Sequence, residues 1–295
     1  RDTYRERYMK WSSGDRSNIE DARGSSGGGM GLRTGGLGVG GLVLALVLSW
    51  ATGIDFLSLL GGGGGAPPSA DVQPSGPPAK TSAAEESAVD MVDAVMADAQ
   101  STWEQVLGNR YQRTTAVLFR DAYQSGCGFA QAATGPFYCP ADHKVYLDLG
   151  FFSELQSRFG APGDFARAYV IAHELGHHVQ SLMGTDAKVR RAQSSRPDQQ
   201  NALSVALELQ ADCYAGVWGH HAAQGRSGGS RVTIETGDVE AGLKAAAAIG
   251  DDRIQRMQTG HVAPDRFTHG SSEQRVTWFR RGLERGDPNA CNTFQ

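Results

Sequence analysis

The stretch Ala172-His173-Glu174-Leu175-Gly176-His177-His178 constrains this chain more than any other. His173 and His177 stand four positions apart, with Glu174 between them. Positions i and i+4 share one face of an α-helix, so two imidazoles at this spacing can meet one ion only if the segment is helical. Zn²⁺ suits such a nitrogen pair. Glu174 lies near the rim of that face, where a carboxylate can take a proton from a water activated by the metal. The flanks predict the helix. Pro162-Gly163-Asp164 reads as a turn with Asp164 as N-cap. No proline follows between Phe165 and Met183, and Gly184 stands where a terminating glycine is expected. Tyr169, Ala172, Leu175, Val179 and Leu182 recur at steps of three and four, so one side is buried. Gly176 inside the helix costs about 1 kcal/mol relative to Ala, which points to the close approach of another group.

H-E-x-x-H fixes only three positions and arises by chance on surface helices, so the reading turns on a third ligand. The extended form with glycine at position 180 and histidine at 183 is closed, because Gln180 and Met183 stand there. His178 lies about 100° round the helix from His177 and faces elsewhere. A second apolar, proline-free segment, Asn201 to Gly216, carries Glu208 and Asp212 four apart. Two acids on a helix are more often a solvated face. Here Leu203, Val205, Ala206, Leu207, Leu209, Ala211 and Tyr214 surround them, and an unpaired charge buried among such side chains is costly. The expected metal set is therefore His173, His177 and Glu208 around one Zn²⁺, with Asp212 accepting the second ring N–H of a ligand histidine.

These residues resemble the gluzincin metallopeptidases, which pair H-E-x-x-H with a downstream E-x-x-x-D helix. More narrowly they resemble the bacterial neutral zinc metallopeptidases. The matching stretches are Cys127-Gly-x(9)-Tyr138-Cys139-Pro140, Tyr146-Leu-Asp148, Tyr169 to Gln180, Glu208 to Gly219, Ala248 to Asp252, Phe267-Thr-His-Gly270 and Gly286 to Phe294. The resemblance covers nearly the whole chain. It implies an α+β fold: a mainly helical zincin-like metallopeptidase domain with a small sheet, preceded by a single transmembrane helix. It also implies that the strand Lys144–Asp148 is an edge that receives a peptide substrate as an added strand. Thr268-His269 followed by Arg275 is similar to an element near the active site of membrane gluzincins. By that likeness His269 joins Glu174 as a catalytic residue, donating to the oxyanion. Gly270 stands in place of the element's proline, and a packing or capping histidine is an equal reading.

The chain divides further by composition. Residues 1–33 are polar, then glycine-rich, and read as a flexible cytoplasmic tail. Residues 34–54 carry no charge and are long enough for a transmembrane helix, with Trp50 suited to an interface. Residues 55–84 are rich in Gly and Pro and read as a linker. Residues 85–295 then form the zinc metallopeptidase domain. Arg23 and Arg33 before the apolar run place the N-terminus in the cytoplasm and the domain outside a bacterial cell membrane. The net charge of −4 gives no surface for nucleic acid. Four cysteines allow three pairings. Cys127–Cys139 closes a short loop and leaves Cys213–Cys291, as an oxidising compartment favours. Cys213 as a metal ligand is the rival, one position off the Glu208 face.

The expected function is a membrane-anchored zinc endopeptidase acting on a peptide or protein, with Glu174 as general base. The alternatives are an envelope binding or quality-control protein with a structural zinc, and a zinc amide hydrolase acting on a non-peptide envelope substrate.

Overall fold

The computed structural model describes residues 9–24, 81–131, 135–225, 231–235 and 237–294. The apolar run 34–54 and nearly all of the Gly/Pro-rich stretch after it lie outside the described residues. Among the described residues, no helix is long and apolar enough to cross a membrane.

Residues 9–24 are not a flexible tail. They form strands β1 (Lys10–Trp11) and β2 (Ile19–Asp21) and are strapped onto the long helix α1 (Ala83–Leu107). Asp93 of α1 is fully buried and accepts from Asn18 N (3.2 Å), Asn18 Nδ2 (2.9 Å) and Arg16 N (3.3 Å). Gln100 donates to the Asn18 side chain, and Arg16 reaches Glu86 and Asp90. Composition misleads here because the strap's polar groups are buried by pairing rather than by hydrophobicity. Arg23 lies 3.1 Å from Glu85 and 2.9 Å from Glu86, so the flanks of residues 25–80 meet at one place.

After α1 come β3 (Ala116–Phe119), the hairpin β4 (Ala122–Ser125) and β5 (Gly128–Gln131), then β6 (Phe137–Cys139) and β7 (Lys144–Asp148). The main sheet has the order β2-β3-β7-β6, with β2, β3 and β7 parallel and β6 antiparallel to β7. Strands β2 and β6 are thus the edges, and the expected edge strand Lys144–Asp148 is interior. Its consecutive Val145, Tyr146 and Leu147 are all buried, the run expected of a strand covered on both faces. Disulfide Cys127–Cys139 joins the hairpin to β6.

A short helix α2 (Gly150–Ser157) separates β7 from α3 (Asp164–Leu182), the H-E-x-x-H helix. Gly163, not Asp164, is its N-cap; Asp164 opens the first turn and accepts from Trp11 Nε1 of the strap. The C-terminal signal reads correctly, with Gly184 at φ 70°. Then follow α4 (Thr185–Ser195), α5 (Gln200–Ala223), β8 (Val232–Thr233) pairing with β1, α6 (Asp238–Ala248), α7 (Asp251–Thr259) and α8 (Ser272–Arg285). A short 3₁₀ turn, Pro288–Cys291, ends on disulfide Cys213–Cys291. The fold is α+β, mainly helical with small sheets. Its core lies where α1, α3, α5 and α6 meet the sheet, around Val95, Tyr169, Leu175 and Trp218.

Candidate active site

Two close crossings bring the polar residues together. A Cβ on Gly176 of α3 would lie 2.9 Å from the Ala211 carbonyl oxygen of α5. That is the close approach its glycine signals, and it sets His173 and His177 against Glu208. A Cβ on Gly282 of α8 would lie 2.0 Å from the Cys213 carbonyl oxygen. This second crossing slides α8 along α5 and delivers Arg275 to Asp212.

His173, His177 and Glu208 each present a ligand atom within 4.8 Å of the others. His173 Nε2 lies 3.2 Å from Glu208 Oε2 and His177 Nε2 3.5 Å from Glu208 Oε1. The two imidazole planes are perpendicular. Burial alone would lift the Glu208 carboxyl, but His177 and His173 hold it well below the usual range. Asp212 Oδ1 sits 2.9 Å from His173 Nδ1. Asp212 is fully buried and also accepts from Arg275 Nε and Nη2, both at 2.9 Å, and from the Tyr169 hydroxyl. Burial raises its pKa, and Arg275 with His173 more than reverse that. The same geometry acts on His173: burial lowers it, while Asp212 and Glu208 push it up to about 10. An imidazole so surrounded by carboxylates binds a proton or a cation strongly.

Glu174 is buried beside this group, one residue after His173. Burial raises its pKa against the lowering influence of His173 and His177, with the nearby backbone N–H of Tyr138 on edge strand β6 lowering it as well. A buried carboxyl with a raised pKa is suited to proton transfer.

His269 approaches from the loop before α8, its side chain 36% exposed. Asp251 anchors it: the carboxylate accepts from the N–H groups of Thr268 (2.6 Å), His269 (2.7 Å) and Gly270 (3.2 Å) and lies 3.2 Å from His269 Nδ1. Burial lowers the His269 pKa, and Asp251 with Glu208 raises it overall. Asp251 carries no signal in the sequence beyond a helix start, and Tyr169 reads there only as part of an apolar stripe. The role of Arg275 shows only when α8 is docked.

Other histidines do not join the site. His178 points away, to the Gln112 carbonyl (2.6 Å) and the Tyr138 hydroxyl (3.1 Å). His220 and His221 engage the carbonyls of Leu283 and Gly286. Cys213 is bonded to Cys291, which removes it as a ligand. Both disulfide pairings agree with the sequence reading.

The family model described as "Putative neutral zinc metallopeptidase" matches residues 9–294. The chain belongs to that family. It is 45% identical to the uncharacterized protein YpfJ of Escherichia coli K12 over 300 residues, covering 97% of this chain and 99% of the relative. It is 44% identical to the uncharacterized proteins Mb2605 of Mycobacterium bovis and Rv2575 of Mycobacterium tuberculosis over 199 residues, 66% of each chain. No solved structure matches. The match begins at residue 9, so the strap lies within the family's common region.

The donors fit the zinc that the family implies. Two imidazole nitrogens and one carboxylate are a known three-ligand zinc set. They converge from two helices, and His173 and His177 each have an outer partner on the far ring nitrogen.

Proposed function

We propose that the protein is a zinc-dependent endopeptidase that hydrolyses peptide bonds. The observation that carries the reading is the convergence of His173, His177 and Glu208 on one point beside the buried Glu174. When bound there, zinc would lower the pKa of water and polarise a carbonyl. Glu174 accepts the proton of the attacking water and returns it to the leaving amine. Asp251 accepts from His269 Nδ1 and, with Glu208, favours the imidazolium, whose Nε2–H then donates to the negative charge developing on the carbonyl oxygen. The substrate backbone adds to edge strand β6, whose Tyr138 backbone N–H lies near Glu174, rather than to β7. A closed structural zinc would need a fourth protein ligand. His178 and Cys213, its candidates, are turned or bonded elsewhere, so the peptidase reading is favoured. The two disulfides suit an oxidising compartment outside the cytoplasm.

The test is Glu174→Gln in the full chain, since a fragment beginning at residue 85 would lack β1 and β2. Zinc content should be unchanged, and turnover of a denatured protein substrate should fall by at least about 10²-fold. Full turnover in that variant would remove Glu174 as the base.

A further inference from the structure

The two metal-site histidines are held differently. His173 leans on a charged carboxylate, Asp212. His177 leans on a neutral amide, with Nδ1 2.9 Å from Gln180 Oε1. Gln180 is fully buried, and the choice of which end of its amide faces His177 is fixed by what surrounds it. Gln180 Nε2 is 2.7 Å from the Leu207 carbonyl and 3.1 Å from Gln210 Oε1. Gln210, also buried, places its Nε2 2.9 Å from the Cys291 carbonyl.

A backbone carbonyl can only accept. The Cys291 carbonyl therefore requires the NH₂ of Gln210, which turns the Gln210 oxygen toward Gln180. That oxygen and the Leu207 carbonyl both require the NH₂ of Gln180. The Gln180 oxygen then faces His177 and requires an N–H at Nδ1. Nε2 is left with the lone pair, on the side facing Glu208 and His173. Reversing either amide would set two acceptors or two donors against each other in a buried place, which costs about 1–3 kcal/mol per unsatisfied group.

We propose that Gln180 and Gln210 are positioning residues for His177, and that the disulfide-held Cys291 carbonyl sets the polarity of their relay. Metal retention then depends on disulfide Cys213–Cys291, although neither sulfur is a ligand. The inference rests on the metal-site reading of His173, His177 and Glu208. It deepens that reading, because it names what selects the ligating tautomer of His177 and makes retention of the metal sensitive to reduction.

The experiment has two readouts. The first is the zinc dissociation constant of the full chain, by competition with a chromophoric chelator. The second is the His177 tautomer in the zinc-free protein, from imidazole ¹⁵N shifts assigned with a His177→Gln variant. Gln180→Met, close in shape to the parent, should weaken zinc by about 10–100-fold and mix the two tautomers. Gln210→Met should do the same to a smaller degree. The double variant Cys213→Ser/Cys291→Ser should weaken zinc, whereas Cys127→Ser/Cys139→Ser should retain it like the parent. If the parent binds zinc and the Gln180→Met and Gln210→Met variants match it in affinity and tautomer, the relay is overturned while the metal site stands. If the parent binds no zinc, the metal-site reading itself fails. Thermal unfolding of the zinc-free variants separates a packing role, which would lower Tm and leave the tautomer unchanged.

Discussion

The contact between α3, α5 and α8 and the contact between the N-terminal strap and α1 use the same device. Each buries a carboxylate completely and saturates it with donors: Asp212 with His173, Arg275 and Tyr169, and Asp93 with Asn18, Arg16 and Arg231. The difference lies in what the donors have left over. Around Asp93, two of the four donors are backbone or amide N–H groups of Asn18 that serve only to hold the strap. Around Asp212, the histidine keeps a second ring nitrogen, and that nitrogen meets Glu208 and lies near His177. A buried acid alone thus marks architecture as readily as chemistry. A buried acid whose donor is an imidazole shared with a second carboxylate marks a group that can hold a metal.

The largest expected effect belongs to the first region. Asp212→Ala leaves Arg275 buried without its partner, which costs about 3–5 kcal/mol of stability. It also frees the His173 ring. Urea unfolding should show the loss of stability, and elemental analysis should show zinc depleted. A variant that kept both would make Asp212 as expendable as a surface acid.

Asp93→Ala should lie next. It strands buried donors of the strap and should cost about 3 kcal/mol, while zinc stays bound at native pH. Hydrogen exchange should rise across residues 9–24 and 231–233 and not across α3. Equal loosening of both regions would mean that they unfold as one unit and that the comparison has no energetic counterpart.

The smallest effect concerns pH. Hydrogen bonds from Arg16 and Arg23, with burial opposing, lower the Glu86 pKa from 4.5 to about 2. A carboxyl depressed on folding stabilises above its unfolded pKa and loses that contribution as pH falls through the folded value. The strap's anchor is therefore intact above about pH 4.5 and weakens from there down to about pH 2. The Glu86 side chain is partly exposed, so solvent screening keeps the effect small. Limited proteolysis within residues 9–24 across this window should become faster in acid. Glu86→Gln should abolish the pH dependence; an unchanged profile would assign it to other carboxyls, such as Asp21.

The sequence by itself determined the H-E-x-x-H helix, the second helix that faces it, and Glu208 as the carboxylate that meets the two histidines. Each is written in a local period: His173 to His177 and Glu208 to Asp212 are single-turn spacings, and the unusual burial of Glu208 and Asp212 is legible from their apolar neighbours. Small connectors such as α2, and the exact cap at Gly163, were not written in that period. Tertiary structure alone decided that residues 9–24 belong to the domain, that β6 rather than β7 is an edge, and that Asp251, Arg275 and the two glutamines stand behind the ligands. These facts rest on partners between 17 and more than 70 residues apart in sequence. A buried hydrogen bond of that reach leaves no periodic trace, because only the docking of whole elements brings its donor to its acceptor.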